Sequence, residues 1–205
     1  MNYLAHLLLS GDEEDLMIGN FVADFIKNKD LPHFTEGVQK GIFLHRAIDA
    51  FTDSHEIVKQ STKRLHPFHH KYAPVIVDVY YDFLLAKNWD KMTPSVNLDI
   101  FVKNMYKVLI IRQKELPPTL QTVLPRMIAD DFLMKPTTFD GLEQVFKRIK
   151  KAAAFPNQFE NAAAHLKDYL AEFDSEFCQF FPDLQTYCLN SEYVRDSIPQ
   201  NVKKG

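Results

Sequence analysis

The sequence predicts an all-α fold, organised as a single-domain helical bundle. Phe is frequent at 17 and Gly scarce at 6 among the 205 residues, and the apolar stretches are long. This combination favours packed helices over a turn-rich β architecture. With 46% apolar and 25% charged residues, the chain can bury a core and still form one domain. We expect the helical domain to cover residues 1–190, followed by a polar tail over residues 191–205.

A first clear helix is predicted in the segment EEDLMIGNFVADFIKN. Asp12 precedes it as a candidate N-cap, and acidic residues fill the first turn, where they complement the helix dipole. Leu16, Asn20 and Asp24 then recur every four residues and share one face. Asp24 is either a functional acid on that face or an ordinary solvent-facing residue, and only its alignment with Asn20 favours the first.

A second helix, in VQKGIFLHRAIDAFTDSHE, carries a polar stripe. Val38 and Ile42 follow a helical apolar period, while His45, Asp49 and Asp53 are spaced four residues apart. Side chains one turn apart can hold one metal ion between them. An isolated His–Asp pair is more often a simple surface contact. The interpretation of this stripe as a metal site therefore depends on the acids elsewhere in the chain.

The segment Pro74–Trp89 predicts a third, central helix. It contains VIVDVYY, which has strand-like residues, but the apolar run extends over more than three turns and begins with a proline. Asp78 and Asp82 lie one turn apart within it, and two buried carboxylates repel unless a cation separates them. That cation is either a metal ion or an arginine such as Arg46 or Arg64, with water at the other acid. The metal ion is favoured for Asp78, and the two alternatives are evenly weighted for Asp82.

The second half of the sequence carries helical patterns separated by prolines, and no internal repeat. Further helices are predicted over Leu98 to Gln113, Thr119 to Leu133, Phe139 to Ala153, and Phe159 to Phe180. Among the histidines, the spacing around His6 is typical of a core residue, and the tandem His69–His70 is predicted to be solvated. A mixed carboxylate and imidazole site points to Mn²⁺, Mg²⁺ or Fe²⁺ rather than a thiolate zinc site.

Charge and hydropathy limit the classes of partner. The net charge of −3 argues against a nucleic-acid binder. The apolar run from Tyr3 to Leu9 is too short for a signal peptide or a membrane span, which predicts a cytoplasmic protein without membrane contact. Cys178 and Cys188 lie in no metal-ligand spacing and are expected to be free thiols. The sequence does not indicate an oligomeric state.

Four motifs resemble the acyl carrier protein phosphodiesterase family, also called holo-acyl-carrier-protein hydrolase, which is regarded as a divergent branch of the HD-type metal phosphohydrolases. They are MNYLAHLLLS at 1–10, GNFVADF at 19–25, GIFLHRAIDAFTD at 41–53 and APVIVDVYYDFLLAKNW at 73–89. The resemblance implies an HD-phosphohydrolase-like helical fold. It also implies a divalent metal, preferably Mn²⁺, and hydrolysis of the phosphodiester that joins 4′-phosphopantetheine to a serine of the acyl carrier protein.

The same resemblance implies the site residues. The metal environment is carried over onto His6, Asp24, His45, Asp49 and Asp78, with Asp82 nearby. Within that set we expect His6, Asp24, His45 and Asp78 to hold the ion. Asp49 or Asp82 would complete the shell or orient the nucleophile. Arg46 is expected either to bind a phosphate oxygen through its planar donor fork or to pair with a nearby acid.

Two departures from the family pattern leave other functions open. The sequence has no His-Asp dipeptide, and Phe83 stands where the family commonly has a histidine. A phosphohydrolase acting on a nucleotide or other small phosphodiester would use the same site. A non-catalytic helical module that binds the carrier protein would have a degenerate one.

Docking of an acidic carrier protein requires a local basic surface. Lys59, Lys63 and Arg64 form the basic cluster nearest to the predicted metal stripe. A second cluster consists of Lys147, Arg148, Lys150 and Lys151. The alternative for both is an ordinary solvated helix face.

Overall fold

The structure is a computed structural model that describes residues 1–152, 159 and 161–195. The α-helices of this part are α1 Tyr3–Leu9, α2 Glu14–Val22, α3 Glu36–Ser54, α4 Glu56–His69, α5 Ala73–Lys87, α6 Trp89–Met92, α7 Leu98–Ile111, α8 Pro118–Ala129, α9 Phe139–Ala152, α10 Ala162–Asp168, α11 Leu170–Asn190 and α12 Glu192–Arg195. Short 3₁₀ turns join several of them, and the described residues contain no strand. The predicted all-α, single-domain architecture is confirmed. No helix in this part of the chain combines the length and apolarity that a membrane span needs.

Helix α5 occupies the centre of the fold, as its apolar sequence predicts. Its buried residues lie on every side of the helix, and their aromatic rings contact α11. Tyr80 packs edge-on against Phe173 with ring centroids 5.2 Å apart, and Tyr81 packs in the same way against Phe177 at 5.4 Å. Burial of these large rings supplies much of the apolar area that stabilises the core.

Helices α2 and α3 cross in close contact because glycines face each other at the crossing. A Cβ added to Gly19 would stand 2.0 Å from the Val38 carbonyl oxygen, and one added to Gly41 would stand 2.4 Å from that of Leu16. Only glycine therefore allows the two backbones to approach this closely. The crossing brings Asn20 of α2 beside His45 of α3.

Helix α1 is fixed by Asp82, which corrects the predicted site role of that residue. Asp82 is 1% exposed, and its carboxylate accepts hydrogen bonds from the backbone N–H groups of Leu4 at 2.9 Å and Ala5 at 3.2 Å. These are N–H groups of the first turn of α1, which have no partner within the helix. The shared face of Asp78 and Asp82 is real, but α1 covers Asp82 and removes it from any catalytic surface.

Several predicted helix boundaries were wrong. Glu13 rather than Asp12 precedes α2, and the helix ends at Val22 before a 3₁₀ turn over Ala23–Phe25. The single helix predicted over Phe159–Phe180 is two helices, divided at Tyr169. Other predicted ends shift by a few residues. Within the predicted tail, α12 is described, and residues 196–205 lie outside the described part.

Helix α4 was not predicted. It begins at His55, whose ring nitrogen accepts the Ile57 N–H, and it extends to His69. His69 is fully buried, and its Nε2 lies 2.9 Å from Nδ1 of His165. The prediction that His69 is solvated was therefore wrong, whereas His70 is exposed as expected. Both cysteines are free thiols, also as expected.

Candidate metal centre

Two histidines and an aspartate from different helices converge near the surface of the fold. His6 comes from α1, and His45 and Asp49 come from successive turns of α3. Nε2 of each histidine lies 3.2 Å from one oxygen of the Asp49 carboxylate, His6 at Oδ1 and His45 at Oδ2. The two rings stack with centroids 4.0 Å apart. One candidate ligand atom from each residue lies within 4.8 Å of the others, which is the spacing of a metal site.

The side chain of Asn20 fixes the tautomer of both histidines. Its Nδ2 donates to the His6 carbonyl oxygen at 2.8 Å and to Ser10 Oγ at 3.0 Å, which sets the amide orientation because a carbonyl cannot donate. Oδ1 therefore faces Nδ1 of His6 at 2.7 Å and Nδ1 of His45 at 3.1 Å. The His45 Nδ1 also meets the backbone oxygen of Asn20 at 2.9 Å. Each Nδ1 is thus a donor, so either ring, when neutral, carries its lone pair on Nε2.

These lone pairs point toward carboxylate oxygens, an arrangement that requires a cation or a proton between them. Nε2 of His6 is buried and has no hydrogen-bond partner among the described residues, although Asp49 Oδ1 is close. A buried polar atom without a partner is costly. A divalent ion bound by both Nε2 atoms and Asp49 would satisfy this atom, so the residues present fit a metal.

Asp24 adds a second carboxylate at this site. Its Oδ1 lies 3.2 Å from His45 Nε2, at the 3₁₀ turn that follows α2. Burial alone would lower the pKa of His45, but hydrogen bonds to Asp24 and Asp49 raise it to about 9. Burial would raise the pKa of Asp49, but the imidazoles of His45 and His6 beside it lower that pKa well below its usual range. Burial lowers the pKa of His6. Without a metal ion, His45 is therefore the protonated imidazole of the pair at neutral pH, and His6 is the neutral one.

Asp78 stands beside the cluster rather than in it. Its Oδ1 accepts from the amino group of Met1 at 2.8 Å, and that amino group lies 3.8 Å from Asp49 Oδ1. Asp53, one turn beyond Asp49 on α3, is exposed. Burial and the charges of Asp78 and Asp49 raise the pKa of Asp53. Asp24 and Asp49 thus contact the buried histidines, whereas Asp53 and Asp78 lie beyond them, and a metal-ligand role for Asp78 stays a prediction.

Most of the predicted cations have partners elsewhere. Arg46 is exposed and donates to Asn28 Oδ1 at 2.8 Å, so its contact with substrate stays a prediction. Lys59 pairs with Glu56 at 2.8 Å. Arg64 forms a two-pronged bond to Glu176, with both distances 2.6 Å, on the side of α4 that faces α11. Glu176 thus holds the Arg64 guanidinium on the α11 side of α4, and a docking role for Arg64 stays a prediction.

Comparison with known proteins agrees with the motifs around this centre. The sequence profile of the acyl carrier protein phosphodiesterase family matches residues 1–184. The chain belongs to this family.

Several curated relatives carry the name acyl carrier protein phosphodiesterase. The one from Photorhabdus laumondii is 26% identical over 204 residues, which is 98% of this chain and all of the relative. The one from Enterobacter sp. strain 638 is 25% identical over 94% of this chain and all of the relative. The one from Serratia proteamaculans is 27% identical over 90% and 95% of the two chains. No solved structure matches the chain, so the HD-like helix arrangement stays a prediction.

The main residue that sequence reasoning missed is Asn20. In the sequence it is notable only for its alignment with Asp24 on one helix face. A stronger signal was present, because an amide within the apolar run MIGNFV must be buried and must therefore find hydrogen-bond partners. What the sequence could not show is that those partners are two imidazoles from other helices.

Proposed function

We propose that this protein is a metal-dependent phosphodiesterase that releases 4′-phosphopantetheine from holo-acyl carrier protein and leaves the apo form. Family membership and the names of the relatives supply the substrate. The observation that carries the metal dependence is the pair of Nε2 atoms of His6 and His45, each of which lies 3.2 Å from an Asp49 oxygen. Mn²⁺ is our first choice of ion, since the family resemblance implies it and carboxylate ligands suit it, and Mg²⁺ or Fe²⁺ are the alternatives.

Each residue of the centre then has a role. His6, His45 and Asp49 would hold the ion, with Asp24 as a further oxygen ligand. Bound there, a divalent ion lowers the pKa of a coordinated water and stabilises charge on phosphoryl oxygens. Asn20 keeps both Nδ1 atoms protonated and both Nε2 atoms available as ligands. The exposed side of Asp49 and Asp24 is the side from which substrate can approach.

The direct test incubates chelator-treated protein with holo-acyl carrier protein and each of Mn²⁺, Mg²⁺ and Fe²⁺. Intact mass measurement of the carrier then reports loss of one phosphopantetheine. We expect cleavage only when metal is added, with Mn²⁺ most effective. Cleavage that persists after exhaustive metal removal contradicts the proposed site. An unchanged carrier, together with hydrolysis of bis(p-nitrophenyl) phosphate, supports the small-substrate alternative, and no turnover of either supports a binding module.

A matched pair of variants on α3 tests the assignment of Asp49. Asp49→Asn removes a carboxylate that faces both histidines, and we expect loss of bound Mn²⁺ and of turnover. Asp53→Asn makes the same chemical change one turn along the helix, where no histidine is in contact, and should retain the metal. Equal Mn²⁺ content in the two variants, measured by atomic absorption, would remove Asp49 from the ligand set.

A further inference from the structure

A groove of about 660 Å³ begins beside the metal centre and follows α4. Asp53 and Asp78 lie at the end near the centre, and Val58, Thr62 and His66 of α4 continue along the groove. The lining positions on α4 span ten residues, from Val58 to Pro67, a rise of about 13 Å along the helix. A volume of this size is typical of small-molecule sites. Asp78 connects the groove to the centre, because its carboxylate binds the Met1 amino group, which lies 3.8 Å from Asp49 Oδ1.

The walls of the groove are mainly apolar, although Lys59 and Lys63 also line it, and this surface suits a largely neutral, extended chain. Val58, Pro67 and Pro74 supply apolar surface, while Thr62 supplies a hydroxyl that can bond an amide. Of the three cations predicted to dock the carrier protein, only Lys63 forms no ion pair within the described part of the chain. Lys59 and Arg64 are held by glutamates. One free lysine cannot match the many acids of a carrier helix, so charge complementarity disfavours that helix as the occupant.

We infer that this groove binds the pantetheine arm of the carrier protein, a flexible chain with two amides, a geminal dimethyl group and no charge beyond its phosphate. This inference rests on the proposed function. The arm would lie along α4 with its phosphate end at Asp78 and the metal centre. Holding the arm in this direction orients the phosphodiester at the reacting end, and binding energy from this remote part of the substrate then contributes to catalysis.

The test fills the groove. Thr62 is half-buried in the wall, and Thr62→Trp places an indole where the arm would lie. Lys63→Trp is a second variant at an exposed wall position, in case the first does not fold. Val75→Trp is the matched control, since Val75 is 43% exposed on α5 and does not line the groove. Circular dichroism and Mn²⁺ content establish that each variant is folded and loaded.

We expect either groove variant to raise KM for holo-acyl carrier protein by about tenfold or more, since the variant loses binding contacts to the arm. Free pantetheine should inhibit the wild type and the Val75→Trp control competitively, and inhibit the groove variants far less. Apo-acyl carrier protein lacks the arm, so its competition should be equal in all four proteins. Unchanged KM and unchanged pantetheine inhibition in a folded groove variant would overturn the inference.

Two further outcomes separate this inference from neighbouring ideas. If the groove variants weaken competition by the apo-carrier as strongly as they raise KM for the holo-carrier, the groove contacts the carrier surface and the arm assignment is wrong. If the wild type does not release phosphopantetheine at all, the proposed function fails, and calorimetric titration with pantetheine still decides the groove. Binding to the wild type that is lost in Thr62→Trp would support the groove, and no binding to the wild type would reject it.

Discussion

Asn20→Ala should lower metal affinity while the protein stays folded. The substitution removes the Oδ1 atom that accepts from both imidazoles. His45 retains the backbone oxygen of residue 20 at 2.9 Å, whereas His6 Nδ1 has no other acceptor among the contacts described above. The ring of His6 is therefore free to turn or to adopt the other tautomer, which withdraws its Nε2 lone pair from the metal position.

The magnitude follows from the burial of these groups. Asn20 is 1% exposed and His6 is 3% exposed, so the abandoned Nδ1–H receives no water. One unsatisfied buried donor and the small cavity left by the amide together cost about 2–4 kcal/mol of unfolding free energy. Loss of an outer-shell partner of a metal ligand lowers metal affinity about 10- to 100-fold. A typical domain stability of about 5–15 kcal/mol leaves this variant folded.

Two measurements separate the effects. Urea unfolding of chelator-treated protein, followed by circular dichroism, gives the loss of stability, and calorimetric titration with Mn²⁺ gives the affinity. Ser10→Ala is the control, because it removes a hydroxyl that bonds the same amide and the His6 carbonyl but leaves both imidazole acceptors in place. It should cost about 1 kcal/mol and leave Mn²⁺ affinity nearly unchanged. Wild-type Mn²⁺ affinity in Asn20→Ala would refute the tautomer argument.

Three other variants test the framework. Gly41→Ala forces a Cβ against the Leu16 carbonyl oxygen and should lower the free energy of unfolding by about 1–3 kcal/mol, despite the better helix propensity of alanine; wild-type stability in urea would contradict it. Burial raises the pKa of Asp82 from 3.8 to about 7. The free energy of unfolding of the metal-free wild type, relative to that of Asp82→Asn, should therefore fall as the pH rises from about 4 to 7. A constant difference between the two proteins would exclude this titration. Glu176→Gln leaves the Arg64 guanidinium without its charged partner and should lower the free energy of unfolding in urea by about 3–5 kcal/mol. A loss below about 1 kcal/mol would show that water solvates Arg64 instead.

The sequence predicted those features of the centre that depend on one helix. The four-residue spacing of His45 and Asp49 places both on one face of α3, and the structure confirms that they meet. The apolar run around Asp78 predicts a central helix, and α5 is central. Each of these predictions needs only the periodicity of a single helix, which the order of residues specifies directly.

Features that depend on contact between helices could not be predicted in this way. His6 has the spacing of a core histidine, and only the position of α1 against α3 brings its Nε2 to Asp49. Periodicity places Asp82 beside Asp78 but cannot show that α1 covers one of them and leaves the other open. His69 lies on the buried face of a helix that was missed, because the charged sequence of α4 conceals the four-residue spacing of Ser61, Leu65 and His69.

Helix α1 is the element on which the metal centre depends most. At seven residues it is too short to be stable alone, so contacts with other helices must hold it in place. Asp82 of α5 binds its first turn, and Asn20 of α2 binds both the ring and the carbonyl of His6. The acids around the histidines are partly solvated, with 43% of the Asp49 side chain exposed, so their repulsion without metal is screened. We therefore expect the protein to fold without metal, and the anchors of α1 to fix the positions of the candidate ligands.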